Sequence, residues 1–193
     1  MDTLAHRTET DEELAAAVKA GDDLAFQELM RRHAGPISYF VRQYAKDPED
    51  IEDIAQDSFF KAWKHIKRFK EGRAFRPWLY AIARNTALDC IKKRRASTFS
   101  ELDDEENDLM FADVLEDEAP LPPELFAQAE LRAELEKAMG ALHPDHKAVL
   151  IMHYHDRLTF DEIAEAMDKP MNTVKSWHRR ALQKLKPRLP HRK

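Results

Sequence analysis

The sequence predicts an all-α protein made of two small helical domains joined by an acidic flexible linker. Three observations carry this reading. The 193 residues include only four glycines, too few for the turns of a β-sandwich or barrel. Charged residues reach 35%, and Glu, Lys, Arg, Ala and Leu, all good helix formers, dominate the chain. Apolar residues recur at spacings of three and four on both sides of an acidic stretch that carries Pro120, Pro122 and Pro123.

The first domain reads as four helical stretches. Asp11 to about Ala20 sets Leu14, Ala17 and Val18 on one face, and Thr10 or Asp11 can cap it. Leu24 to Lys46 brings Phe26, Leu29, Met30, Ile37, Phe40, Val41 and Tyr44 inward, with a break expected at Gly35-Pro36. Asp47-Pro48-Glu49-Asp50 is a helix start: an Asp cap, Pro in the first turn, then acids near the positive helix end. That helix is expected to bury Ile51, Ile54, Ala55, Phe59, Ala62, Trp63 and Ile66. After a loop at Lys70-Glu71-Gly72-Arg73, a last helix runs from about Arg76 to Arg95, with Trp78, Leu79, Ile82, Ala83 and Ile91 inward.

The second domain also reads as four stretches: Pro123–Leu142, Pro144–Tyr154, Thr159–Met167 and Met171–Leu185. Thr159 with Glu162 three residues on is a capping box. The last two helices meet across Asp168-Lys169-Pro170, which is helix-turn-helix spacing. Ile163, Ala164 and Met167 of the first, and Val174 and Leu182 of the second, are expected to face inward. The resulting division is residues 10–96, a linker over 97–123, and residues 124–188.

Charge is laid out in blocks. The net charge of −5 would argue against a nucleic-acid binder. Yet Lys61–Arg95 carries +10, Glu101–Glu130 carries −12 and Met171–Lys193 carries +8. The acidic block buries too little apolar area to fold alone. Its charge suits a basic nucleic-acid channel, or a position over the basic domains in the free protein.

Several classes are excluded. No GxGxxG or GxxxxGK[ST] run occurs, so a dinucleotide or P-loop fold has no phosphate cradle. The single Cys90 permits no internal disulfide and no multi-cysteine zinc site. Met1–Glu13 is polar rather than a signal peptide, and no apolar run nears the roughly 18 residues of a membrane span. The chain is therefore expected to be cytoplasmic, without membrane insertion. His143, His146, His153 and His155-Asp156 raise a metal phosphohydrolase as an alternative. The spacing does not converge several ligands, so no metal or other cofactor is expected. No nucleophile, base and orienting group stand together, so no enzyme is expected.

Two segments carry nucleic-acid chemistry. Lys175, Ser176, Arg179 and Arg180 line one face of an acid-free second helix, suited to the major groove. Phe69–Arg95 interleaves cations with Phe69, Phe75, Trp78 and Tyr80, as single-strand binding requires. Spacing alone favours the core for Trp78. Asp53, Gln56, Asp57 and Phe60 form a second face on the third helix. Composition alone calls that face solvated, although acids beside an aromatic would also suit a basic partner.

These residues resemble a known family. Asp50-Ile51-Glu52-Asp53-Ile54-Ala55-Gln56-Asp57-Ser58-Phe59-Phe60-Lys61-Ala62-Trp63 is similar to the polymerase-binding segment of bacterial sigma-70 family factors. Phe75-Arg76-Pro77-Trp78-Leu79-Tyr80-Ala81-Ile82-Ala83-Arg84-Asn85 resembles their promoter-melting segment, and Leu158–Ser176 resembles the signature of their region 4. The short connector resembles that of the two-domain extracytoplasmic-function group. The resemblance implies a promoter-specificity subunit of bacterial RNA polymerase. Its partners would be core polymerase, through the clamp helices of the largest subunit and the flap region, and promoter DNA. It leaves open an anti-sigma factor. Asp50, Asp53, Gln56, Asp57 and Phe60 would meet polymerase. Lys70, Arg73, Phe75, Arg76, Trp78, Arg84, Asn85, Lys92, Lys93 and Arg94 would hold the −10 strand. Thr173, Lys175, Ser176, Arg179 and Arg180 would contact the −35 duplex. Asp168-Lys169 stands where the family has a glycine in the turn, Asn172 replaces another glycine, both Asn and Gly tolerating unusual backbone geometry, and Trp177-His178 replaces an Arg and an aliphatic residue; the fold is expected to stay intact, while the −35 preference stays open. A stand-alone helix-turn-helix regulator, and a sigma-like adaptor that has lost promoter reading, are the rival readings.

Overall fold

The computed structural model describes residues 8–98 and 135–186. Helix α1 (Asp11–Lys19) is set by a capping box: the Thr10 hydroxyl accepts from the Glu13 amide at 3.2 Å, and the Thr10 amide donates to Glu13 at 2.7 Å. Asp22 caps α2 (Asp23–Val41) by accepting from the Leu24 and Ala25 amides. Asp47 caps α3 (Pro48–His65), with Pro48 in the first turn, and a 3-10 turn, Ile66–Arg68, follows.

Helix α2 runs unbroken through Pro36, against the expected break. A helix-interior proline costs about 3 kcal/mol. Ile37, Phe40 and Val41 beyond it are wholly buried, and burial of such side chains is worth about 1.5–3 kcal/mol each. The burial outweighs the lost bond. The helix also ends at Val41 rather than Lys46.

Helix α4 (Phe75–Thr98) begins after a loop in which Gly72 takes a φ of +76°, open to glycine at little cost. Its first amide is satisfied from far away: the Phe75 N–H donates to Glu12 of α1 at 2.9 Å. Phe75, Phe69 and Trp78 pack ring against ring, and Phe40 meets Tyr80 edge-on at 4.9 Å.

In the second half, residues 135–140 are helical. Helix α5 (Pro144–Leu150) is capped by His143 and passes into one π turn, Ile151–His155. Helix α6 (Phe160–Met167) carries the expected Thr159–Glu162 capping box. Asp168 closes it in the left-handed conformation at φ +49° and ψ +49°. Helix α7 (Met171–Leu185) follows at the expected distance. The left-handed position is thus Asp168; Asn172 is ordinary helix.

The two halves are not separate beads. Leu79, Tyr80 and Ala83 of α4 belong to the same continuous apolar core as Met152, Ile163, Ala166 and Met167, because α4 packs on α3 with one side and on α6 with another. A smaller cluster, Ala138, Leu142, Leu150, Ala181 and Leu185, ties residues 135–142 to α5 and α7. The linker expected at 97–123 and the helix expected from Pro123 to residue 134 lie outside the described residues, apart from the end of α4 at 97–98.

Candidate nucleic-acid interface

Three surfaces gather the residues that the sequence singles out. The first is the outer face of α3. Asp53, Gln56, Asp57 and Phe60 stand exposed at i, i+3, i+4 and i+7, because Ile54, Ala55, Ser58, Phe59 and Ala62 take the buried side. Phe60 is 58% exposed. Trp63, expected in the core, is instead 48% exposed with its ring 6.4 Å from that of Phe60. Residue 63 lies three past Phe60 and four past Phe59, at the edge of the buried stripe, where spacing cannot choose a side. Asp50 turns away from this face: its carboxylate accepts from Arg94 at 2.6 Å. An acid of one expected site is thus paired with a base of another.

The second surface is the loop before α4 and α4 itself. Lys70, Asn85, Lys92 and Lys93 are exposed. Phe75, expected to meet the −10 strand, is 1% exposed and offers no ring face to a base. It opens α4 between Phe69, Trp78 and His33, where the core needs a large side chain. Trp78 is partly buried against the same core, as its spacing suggested.

Three arginines of this surface reach across to the second half. Arg84 donates to the Asp145 carboxylate at 3.1 and 3.3 Å, and the Tyr44 hydroxyl donates to the same oxygen at 3.1 Å. Arg76 donates to the Asp156 backbone carbonyl. Arg73 pairs with Glu165 at 3.2 Å. Burial, then the Asp145 charge, pushes the Tyr44 hydroxyl pKa up, so it stays a neutral donor. Burial, then Asp156, does the same to Tyr80. The Tyr80 hydroxyl and Asp156 Oδ2 nevertheless lie buried with no hydrogen-bond partner of ordinary geometry.

The third surface is α7. Lys175, Arg179 and Arg180 are exposed, Thr173 and Ser176 half-buried. The Lys175 ammonium also lies 5.9 Å from the Phe160 ring centre. The buried stripe of α7 is Val174, Ala181 and Leu185. Leu182, expected inside, is 39% exposed, since it sits one residue past that stripe. Trp177 and His178 fall on the stripe side. Trp177 packs on the core near His146, and His178 is held among Tyr154, His153 and Phe160, its Nε2 3.1 Å from the Tyr154 hydroxyl. Burial, then the charge of His153, lowers the His178 pKa. These departures are packing residues turned away from the basic face. Among the described residues no three metal-ligating side chains come together, and no helix is long and apolar enough to cross a membrane.

Sequence reasoning missed Trp63, Glu12 as the cap of α4, and the acids Asp145 and Glu165. Only Trp63 carried a signal, its place at the edge of the apolar stripe.

Both halves of the chain match a known family. Residues 29–97 match the family model of sigma-70 region 2, and residues 132–185 match that of sigma-70 region 4. The chain is 29% identical over 174 residues to the ECF RNA polymerase sigma factor SigW of Bacillus subtilis (strain 168), covering 89% of this chain and 92% of that one. It is 32% identical over 168 residues to the ECF RNA polymerase sigma-E factor of Salmonella typhimurium (strain 14028s / SGSC 2262), covering 86% and 87%. Its fold resembles that of the sigma factor RpoE from Bartonella quintana, solved with the anti-sigma factor NepR, at a TM-score of 0.63 and 20% identity over 84% and 95% of the chains. The chain belongs to the sigma-70 family of RNA polymerase sigma factors, in its ECF group, and is a non-enzymatic promoter-specificity subunit rather than a stand-alone regulator.

Proposed function

We propose that this sigma factor docks on core polymerase through α3 and reads promoter DNA at two places, through the α4 arm and through α7. The observation that carries the reading is the pair of oppositely charged faces held on rigid helices. Asp53, Gln56, Asp57, Phe60 and Trp63 on α3 suit a basic, partly apolar partner, here the clamp helices of the largest polymerase subunit. Lys175, Ser176, Arg179, Arg180 and Thr173 on α7 suit duplex −35 DNA, with α6 set behind them as the first helix of the motif.

Lys70, Arg73, Arg76, Trp78, Arg84, Asn85, Lys92 and Lys93 supply cations, an amide and a ring edge for the melted −10 strand. Phe75 holds the arm in shape. Arg94 belongs to the Asp50 pair that fastens α4 to α3. Residues 10–96 form the polymerase and −10 unit, 97–123 the tether, and 124–188 the −35 unit. Work on polymerase places the protein in the cytoplasm. An anti-sigma factor is a further partner under this reading, as the Bartonella quintana protein is solved with one.

Run-off transcription with core polymerase over a promoter library tests the reading. Stimulated starts are expected with the parent, and are expected to be lost on charge reversal at Asp53 and Asp57. Absence of starts with the parent, or starts that survive the reversal, would overturn it.

A further inference from the structure

Tyr154 is 55% exposed, yet it is held in place. Its ring stacks on that of His178 at 5.6 Å and 27°, and meets His153 edge-on at 4.9 Å. Its hydroxyl lies 3.1 Å from His178 Nε2, at the surface of the protein. Both imidazoles are fixed in turn. The Leu158 carbonyl only accepts, so His153 Nδ1 donates to it, at 3.0 Å. The His153 and His178 rings both pack on Phe160, at 4.6 and 5.2 Å. An exposed aromatic ring with a polar tip, held in one position, is suited to meet a partner rather than to fill a core.

Its position says which partner. Phe160 opens α6, and in a helix-turn-helix the first helix crosses the DNA backbone. The Lys175 ammonium lies over the same Phe160 ring. His178 follows Lys175 by three residues, so it stands nearly one turn on and about 60° round α7. Tyr154 therefore borders the basic face on the side where α6 begins. A side chain placed there faces a phosphate wall of the major groove rather than its floor.

We propose that the Tyr154 hydroxyl is a further −35 contact, which donates to a backbone phosphate oxygen while it accepts from His178. A hydroxyl has one proton and two lone pairs. With the imidazole proton on Nε2, His178 donates to the Tyr154 oxygen, and the hydroxyl proton is free to turn outward. A phosphate oxygen accepts that proton, and the two hydrogen bonds polarise each other. Tyr154 would thus fix the placement of the duplex without reading its sequence, as phosphate contacts do. His178 is its positioning residue. This rests on the assignment of α7 to the −35 duplex.

The test uses the full chain bound to core polymerase, with the −35 duplex selected in the run-off library and its single-base variants. Tyr154→Phe removes one oxygen and keeps the ring. Tyr39→Phe makes the same change on α2, at a tyrosine 38% exposed. Tyr154→Phe is expected to bind every duplex about tenfold more weakly than the parent, the loss of one hydrogen bond to a charged group. Tyr39→Phe should bind as the parent does. The salt dependence of Tyr154→Phe should match the parent's, because a neutral hydroxyl releases no counterion. His178→Phe keeps an aromatic ring and removes Nε2. It should weaken binding on its own and add nothing to Tyr154→Phe in the double variant. Parent affinity in either single variant, a loss confined to one base pair, a shallower salt dependence from displaced Lys175 and Arg179, or additive losses in the double variant would overturn the proposal. Failure of the underlying assignment looks different: Arg179→Ala and Arg180→Ala would then bind the duplex as the parent does.

Discussion

Phe59 and Phe60 are adjacent in α3, yet the helix turns them to opposite sides, 5% and 58% exposed. Burying a phenylalanine side chain completely is worth about 1.5–3 kcal/mol. The packed part of Phe60 is less than half of the ring, so it contributes about 1 kcal/mol to the stability of the free protein. The exposed part leaves about 1–1.5 kcal/mol for a partner that covers it. Phe60→Ala is therefore expected to weaken binding to core RNA polymerase about tenfold. It should cost no more than about 1 kcal/mol of stability, which alanine's helix propensity partly offsets. Phe59→Ala, by contrast, empties the core and should cost about 3–5 kcal/mol. Titration of labelled protein with core polymerase gives the first quantity, and urea unfolding the second. Trp63→Ala, with its ring beside Phe60, should follow Phe60 in the titration. Unchanged polymerase affinity in Phe60→Ala, or a stability loss as large as that of Phe59→Ala, would refute the assignment of this face.

Two further outcomes are expected. Arg180→Ala should cost about 1–3 kcal/mol of duplex affinity, concentrated at one base pair of the −35 element, whereas His178→Ala should alter unfolding and spare sequence preference; a binding assay over single-base variants separates them, and a uniform loss in Arg180→Ala would make it a phosphate contact. Side-chain hydrogen bonds from Arg31, then Arg32, hold the Glu28 carboxyl at a pKa of about 2, below its ordinary 4.5. The unfolded chain then binds the proton first, so this contribution is full above pH 4.5 and is lost as pH falls through about 2. Glu28→Gln should flatten the acid limb of the stability curve over that window, and an unchanged limb would rule the carboxylate out as its source.

The helices were legible because their signals are local. Thr10 with Glu13, Asp47 with Pro48, and Thr159 with Glu162 each mark a start within one turn, and each start stands where it was expected. The acidic face of α3 and the basic face of α7 follow from period 3.6 alone. Misreadings occurred where local signals run against burial or sit at a stripe edge. Pro36 signals a break, but the apolar residues beyond it hold the helix together. Trp63 and Leu182 lie one position from a boundary, where pattern cannot assign a side. Contacts over long separations had no local trace: Glu12 on the Phe75 amide, or Asp145 on Tyr44 and Arg84. Block charges suggested that acids would cover the basic domains, and the acidic linker was the obvious candidate. Among the described residues, acids of the second half do so, single carboxylates that vanish in a charge total.

Lysine and arginine divide the basic surface of α4 and its preceding loop between them. The surface proposed for the −10 strand carries exposed Lys70, Lys92 and Lys93 beside Arg73, Arg76 and Arg84, which hold acceptors of the second half. Lysine is a strongly hydrated point charge, effective at drawing a strand in from a distance and indifferent to its orientation. Arginine is a fork that fits a planar oxygen pair, so it can hold a carboxylate or a phosphate in turn with little change in geometry. Replacing the three arginines by lysine would keep every charge but loosen the contacts that join the two halves, which urea unfolding would read as a lower midpoint.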